Sequence, residues 1–245
     1  LAHKVSHHEI IWENINSTDR GGEIFKELER ATEISLLALI DKDERIGGNL
    51  RAIALQTENA ACILIPHRKL SEKWIAENLT RLLSNKELFL ICHNVKEFYS
   101  WLLSFDGELE CRLFDIMLAE YLLDPQAAKY YISTIVLKHF NINVSAPDTL
   151  KTKGKQQFSD LENSELEKTL KETIPFLQLI FKKQQELLKV HNQTMLFEEV
   201  ELPLALVLGS MELYGFKVDQ KILEEYGVLL ERRITSLEQS IFMLA

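Results

Sequence analysis

Ile34-Ser35-Leu36-Leu37-Ala38-Leu39-Ile40, residues 34–40, is a nearly unbroken apolar run. Its length suits a strand, and with both of its alternating sets apolar it predicts a central strand buried on both faces. Asp41-Lys42-Asp43-Glu44-Arg45 and Gly47-Gly48 follow it as a turn. Leu50–Leu55 and Ala60–Ile65 then read as the next two strands, stopped by Pro66. Upstream, Glu9–Glu13 reads as a first strand. Gly21-Gly22 then precedes a helix with Ile24, Phe25 and Leu28 on one face.

Downstream the pattern alternates. Ser71 opens a helix carrying Trp74, Ile75, Leu79, Leu82 and Leu83, Leu88–Cys92 is a short buried strand, and Val95–Ser104 is helical. After Phe114-Asp115 comes a helix to Leu123, stopped by Asp124-Pro125, and Lys129–Phe140 is helical again. Residues 141–160, with Pro147 and Gly154, form the one stretch of low order. Beyond it the chain is helical, interrupted at Pro175 and Pro203, with Gly215 ending one helix and Asp219 capping the last. Strands confined to the first 115 residues predict an α/β domain followed by a helical extension.

Composition sets limits on function. With 245 residues, 46% hydrophobic and 27% charged, the chain is ordinary for a globular protein, and no apolar run reaches the length of a membrane span. Cys62, Cys92 and Cys111 form no C-x-x-C pair, so neither zinc nor a disulfide framework is expected and the natural compartment is the cytoplasm. The net charge of −9 argues against a freestanding DNA-binding protein, which needs a basic face. His3, His7 and His8 are expected to be a terminal feature and not a metal site.

Four segments carry a family resemblance. Phe114–Pro125 (FDIMLAEYLLDP) is similar to a Phe-Asp-x-x-Leu-x-x-Tyr-Leu-Leu stretch of the bacterial family A DNA polymerase I. Asn49–Leu55 resembles the second strand of its Klenow-type 3′–5′ exonuclease domain. The Lys153-Gly154-Lys155 loop before Phe158 resembles the Gly-Lys-rich loop that precedes the third exonuclease motif. Glu201-Leu202-Pro203-Leu204 through Val218-Asp219 resembles the run that leaves the exonuclease domain and begins the polymerase thumb. The resemblance implies a ribonuclease-H-like exonuclease fold, a mixed sheet flanked by helices. It assigns residues 1–194 to that domain and 195–245 to a truncated helical start of the thumb base.

The resemblance also implies chemistry, in which carboxylates hold two divalent metals that activate water and stabilise the leaving oxygen. Such metals need hard oxygen ligands. An ungapped match places Leu37 and Leu39 at the Asp-x-Glu of the first motif. Phe98, after Asn94-Val95-Lys96-Glu97, falls at the Asp of the second, and Lys168 and Glu172 fall at the Tyr and Asp of the third. Glu172 alone retains an acid, and Pro175 is expected to distort its helix. No metal site is therefore expected.

The alternative uses displaced acids, with Asp41 and Asp43 at i, i+2 spacing and Glu97 beside Phe98. Against it, Asp41 requires deletion of four residues before Asn49, and Glu97 lies about 100° from Phe98 around a helix. A solvated turn and a solvated helix face are the expectation for these acids. Asp115 is expected to make local hydrogen bonds.

Lys151, Lys153 and Lys155 are candidates for touching a DNA phosphate, with a solvated loop as the competing reading. Three functions follow: a vestigial, structural exonuclease-like module of a DNA polymerase used in replication and repair, an active nuclease with displaced ligands, or a non-catalytic DNA-binding module. In the first, no cofactor is expected for this chain, with magnesium and DNA engaged through the parent polymerase, and the last helix is a candidate for self-association.

Overall fold

The computed structural model describes residues 11–42, 47–150 and 157–244. Strands are β1 (Ile11–Ile15), β2 (Glu33–Asp41), β3 (Asn49–Gln56), β4 (Ala60–Leu64), β5 (Phe89–Cys92) and β6 (Arg112–Asp115). Helices are α1 (Thr18–Leu28), α2 (Glu72–Leu83), α3 (Val95–Leu103), α4 (Ile116–Leu123), α5 (Ile132–Phe140), α6 (Pro147–Leu150), α7 (Asn163–Thr173) and α8 (Pro175–Val190). A 3-10 turn spans Phe158–Asp160. Then come α9 (Thr194–Leu196), a π turn (Phe197–Glu201), α10 (Leu202–Tyr214) and α11 (Gln220–Leu244). Two compact units divide after Leu213: the α/β body with the helices up to α10, and Tyr214–Ala245.

The six strands form one mixed sheet in the order β1-β4-β3-β2-β5-β6. β2, β3 and β4 are antiparallel neighbours, while β1 joins β4, and β5 and β6 follow β2, in parallel. The apolar run is central, as its sequence requires. Its even-numbered residues Ile34, Leu36 and Ile40 pack with Phe25, Leu79 and Trp101 from α1, α2 and α3. Leu37 and Leu39 point the other way, into a second core with Ile116, Ile135, Leu170 and Ile180 from α4, α5, α7 and α8. Period-two alternation thus builds a three-layer body from one strand.

Several boundaries differ from the sequence reading. β1 continues past Glu13 to Ile15, and Glu9 and Ile10 lie outside the described residues. α1 starts at Thr18, because the Ser17 side chain accepts the Arg20 N–H as an N-cap, so Gly21 and Gly22 lie inside the helix. Gly21 is tolerated there because the Trp74 ring lies against it: a Cβ would stand 2.5 Å from that ring. β6 was not expected as a strand. α5 begins at Ile132, later than Lys129. Within the stretch 141–160 the described residues hold α6 and the 3-10 turn, with Phe158 buried, where low order was expected; residues 151–156 lie outside the described residues. Pro175 does not distort α7, which ends at Thr173; it stands in the first turn of α8, where its missing N–H costs nothing. Gly215 has the left-handed φ of 63° after α10, and Asp219 Oδ1 accepts the Ile222 N–H at the start of α11.

Candidate active-site cleft

Leu37 and Leu39 of β2 and Phe98 of α3 converge on one cleft of about 180 Å³, which Ile132, Phe158, His93, Asn94, Glu97 and Asp148 also line. The two leucines and Phe98 are each at most 3% exposed. The three positions that the resemblance assigns to metal-binding acids are therefore brought together, and they present hydrocarbon.

Glu172 is not among them. It is exposed on α7 and pairs with Lys168 at 3.9 Å, one turn earlier. The inward face of α7 holds Leu166, Thr169, Leu170 and Thr173, and the Thr173 hydroxyl donates to the Ser145 carbonyl at 3.1 Å.

The displaced acids are not where the sequence reading put them. Asp41 is not on a solvated turn: it ends β2 with 1% exposure. Its Oδ1 accepts the Phe158 N–H at 2.7 Å, and its Oδ2 accepts the Ser159 N–H at 2.8 Å and the Arg51 Nε at 3.1 Å. Glu97 is not on a fully solvated face. It lines the cleft, accepts a hydrogen bond from Asn94 Nδ2 at 2.6 Å and lies 3.9 Å from Lys42 Nζ. Asp43, Lys151, Lys153, Lys155 and the three N-terminal histidines lie outside the described residues.

Asp115 makes one local hydrogen bond, to Met117, and two to the start of α3, 20 and 21 residues earlier in the chain. Its Oδ1 accepts the N–H groups of Met117 (2.8 Å) and Asn94 (3.0 Å), and its Oδ2 accepts that of Val95 at 2.7 Å. One carboxylate thus serves the N-termini of both α3 and α4, where partial positive charge gathers. Burial pushes its carboxyl above the usual range, opposed by the nearby His93 and these three backbone donors. His93 Nε2 donates to the Tyr130 carbonyl at 2.8 Å, holding the loop before α5 against the cleft.

Sequence reasoning missed a buried polar joint behind the cleft. Glu120 of α4, 3% exposed, accepts hydrogen bonds from Lys138 Nζ (2.8 Å), His139 Nε2 (2.8 Å) and Gln184 Nε2 (2.7 Å). Lys138 also reaches Asp124 at 2.8 Å. Burial alone would push the Glu120 carboxyl up, but His139, Lys138 and Gln184 together pull it down to about 2. The joint ties α4, α5 and α8, and α5 carries the Ile132 wall of the cleft. The lone sequence signal was a Glu on the same helix as the core residues Ile116, Ala119 and Leu122.

Among the described residues the donor set does not fit a pair of hard divalent cations. Leu37, Leu39 and Phe98 offer no ligand. Of the carboxylates lining the cleft, Glu97 is engaged as above and Asp148 accepts from the Ser133 hydroxyl. Among the described residues no group of three or more His, Cys, Asp or Glu side chains is disposed to hold a metal ion. Hydrocarbon side chains cannot replace oxygen ligands for magnesium or manganese.

The family model of the 3′–5′ exonuclease of A-type DNA polymerases matches residues 16–170. The chain belongs to this 3′–5′ exonuclease family. Within it, the DNA polymerase I of Geobacillus stearothermophilus is 32% identical over 138 residues, covering 56% of this chain and 16% of the relative. That of Bacillus subtilis (strain 168) is 33% identical over 139 residues, with the same coverage of 56% and 16%. The matched part thus spans about one sixth of these curated relatives.

The family fold extends to solved structures. The POL domain of Pol1 from M. smegmatis, solved with DNA primer-template and dNTP, superposes with a TM-score of 0.69 at 13% identity, over 92% of this chain and 36% of that one. RNase D of Escherichia coli, an exoribonuclease, gives 0.65 at 13% identity over 82% and 51%. At such identities the likeness concerns the fold alone, and that fold is the ribonuclease-H-like exonuclease architecture with a helical C-terminal part.

Proposed function

We propose that this exonuclease-family chain is a vestigial, non-catalytic module that scaffolds a bacterial DNA polymerase I. The observation that carries the reading is the cleft itself: Leu37, Leu39 and Phe98, the residues that an ungapped match sets at the family's acid positions, line it together. Without oxygen ligands at those three positions, the attacking water and the leaving oxygen have no metal pair to stabilise them. A volume of about 180 Å³ also falls below the usual size of a small-molecule site, roughly 300–1,000 Å³.

In this reading residues 1–194 form the exonuclease-like domain and 195–245 begin the thumb base. The parent protein, cytoplasmic and magnesium-dependent, carries out template-directed synthesis in replication and repair and contacts DNA. This chain itself binds DNA weakly or not at all, consistent with its net charge of −9.

The test is incubation of the protein with end-labelled single-stranded DNA and magnesium or manganese, over a range of salt concentrations. No metal-dependent release of nucleotides is expected. Release that disappears in Asp41→Ala or Glu97→Ala would replace this reading with an active nuclease of displaced ligands. Salt-sensitive DNA binding weakened by substitution of Lys151, Lys153 and Lys155 would replace it with a binding module.

A further inference from the structure

A carboxylate buried to 1% exposure needs partners, and two of the three described for Asp41 lie on one short segment. Two are the successive backbone N–H groups of Phe158 and Ser159, at 2.7 and 2.8 Å. The third, Arg51, is supplied by a bulge: Leu39 pairs with Ala52 and Ile40 with Leu50, which leaves Arg51 as the extra residue on β3. Bulges re-aim side chains in this way, and this one brings the Arg51 guanidinium onto Asp41 at 3.1 Å.

Phe158, held by that clasp, is 7% exposed and packs in the core that contains Leu37 and Leu39. It lines the 180 Å³ cleft on one side. On the other it lines a neighbouring cleft of about 350 Å³ that includes Arg51, Ser71 and Ser159. The ring is thus a partition between two cavities.

We propose that residues 157–160 are a strap closing the cleft in front of Leu37 and Leu39, with Asp41 as its pin and Phe158 as its plug. Asp41 is then a positioning residue, and its charge is used to hold backbone instead of metal. The strap rests on contacts within the chain and stands whether or not the cleft is catalytic. Removing the ring should merge the two cavities into a space of small-molecule size, on the order of 300–1,000 Å³.

Hydrogen exchange on the full chain tests the pin. In Asp41→Asn, which keeps the size but loses the charge and one acceptor, the Phe158 and Ser159 amides should exchange about ten-fold faster or more, while Leu90 and Ile91 in β5 keep their rates. Unchanged exchange at Phe158 and Ser159, or equal acceleration throughout β5, would overturn the proposal. Benzene tests the plug, because removing the ring would leave a hollow against Leu37, Leu39 and Ile132 in which an apolar ligand can displace water. It should raise the melting temperature of Phe158→Ala, or of Phe158→Leu if the alanine variant does not fold, and leave the parent unmoved. An equal rise in the parent would mean the ring closes nothing. Nuclease assays bear on the proposed function and leave these exchange rates untouched, so the two readings fail separately.

Discussion

Replacing Glu120 with Gln should cost the protein about 3 kcal/mol at neutral pH and remove part of its acid sensitivity. The carboxyl ordinarily titrates at 4.5 and is held at about 2 in the fold, where the donors Lys138, His139 and Gln184 outweigh its burial. At about 1.36 kcal/mol per unit, that difference corresponds to about 3 kcal/mol favouring the folded state once Glu120 is ionised in the unfolded chain. The sign follows from the depressed value: the contribution is complete above about pH 5 and is lost as pH falls toward 2. Linkage places about 2 kcal/mol of the loss between pH 5 and pH 3. The amide of the Glu120→Gln variant would retain one acceptor and turn an N–H₂ group toward donors, leaving the nearly buried His139 poorly matched. For a body of this size the loss at pH 7 corresponds to a fall of about 6–12 °C in melting temperature. Urea titrations of both proteins at pH 7, 5 and 3 measure it directly. A variant losing less than about 1 kcal/mol at pH 7, or keeping the parent's decline between pH 5 and 3, would refute the assignment of this charge to the joint.

Three further outcomes follow from the fold. Gly209→Val should lift α10 from α3, since a Cβ there would stand 3.1 Å from the Lys96 carbonyl; stability should fall by about 1–3 kcal/mol, read by urea melts, with faster amide exchange in α10. The triple variant Leu37→Asp, Leu39→Glu, Phe98→Asp should melt well below the parent, because it buries three repelling carboxyls and removes a packed ring, and manganese should recover little of the loss. A melt at the parent temperature with manganese-dependent trimming of DNA ends would show that ligand geometry had survived. Helix α11 leaves Ile222, Leu223, Tyr226, Leu230, Ile234, Leu237 and Ile241 between 41% and 64% exposed, so sedimentation should detect concentration-dependent association that Leu230→Glu and Leu237→Glu abolish.

What the sequence made legible was what local periodicity encodes. Residues 34–40 announced a central strand because both of their faces are apolar, and Ser71, Gly215 and Asp219 marked helix ends by local capping chemistry. β6 was hidden because four residues, Arg112 and Asp115 among them, are too few to display an alternation. α1 was misplaced because glycines suggest a turn, and only the Trp74 ring, some fifty positions away, explains Gly21 inside a helix. At the cleft, the leucines and Phe98 could be placed from motif spacing. The burial of Asp41 could not, since its backbone partners lie 117 and 118 residues along the chain. Glu120 was invisible for the same reason: a lone acid on an amphipathic helix looks solvated until Lys138, His139 and Gln184 arrive from two other helices.

The position of β1 delays closure of the sheet while the chain is being made. The β2-β3-β4 meander can form from neighbouring segments, whereas Ile11 pairs with Ala60 and Ile15 with Leu64, so β1 has no ladder to join until β4 exists. At a synthesis rate of about 5–20 residues per second that delay is roughly three to ten seconds. During it Trp12 and Ile15 lack the surfaces that later cover them, and a nascent chain in that interval presents an unpaired strand of the kind that misassociates. Closing the sheet is therefore a non-local, late event, and conditions that slow formation of the meander should leave β1 unpaired for longer.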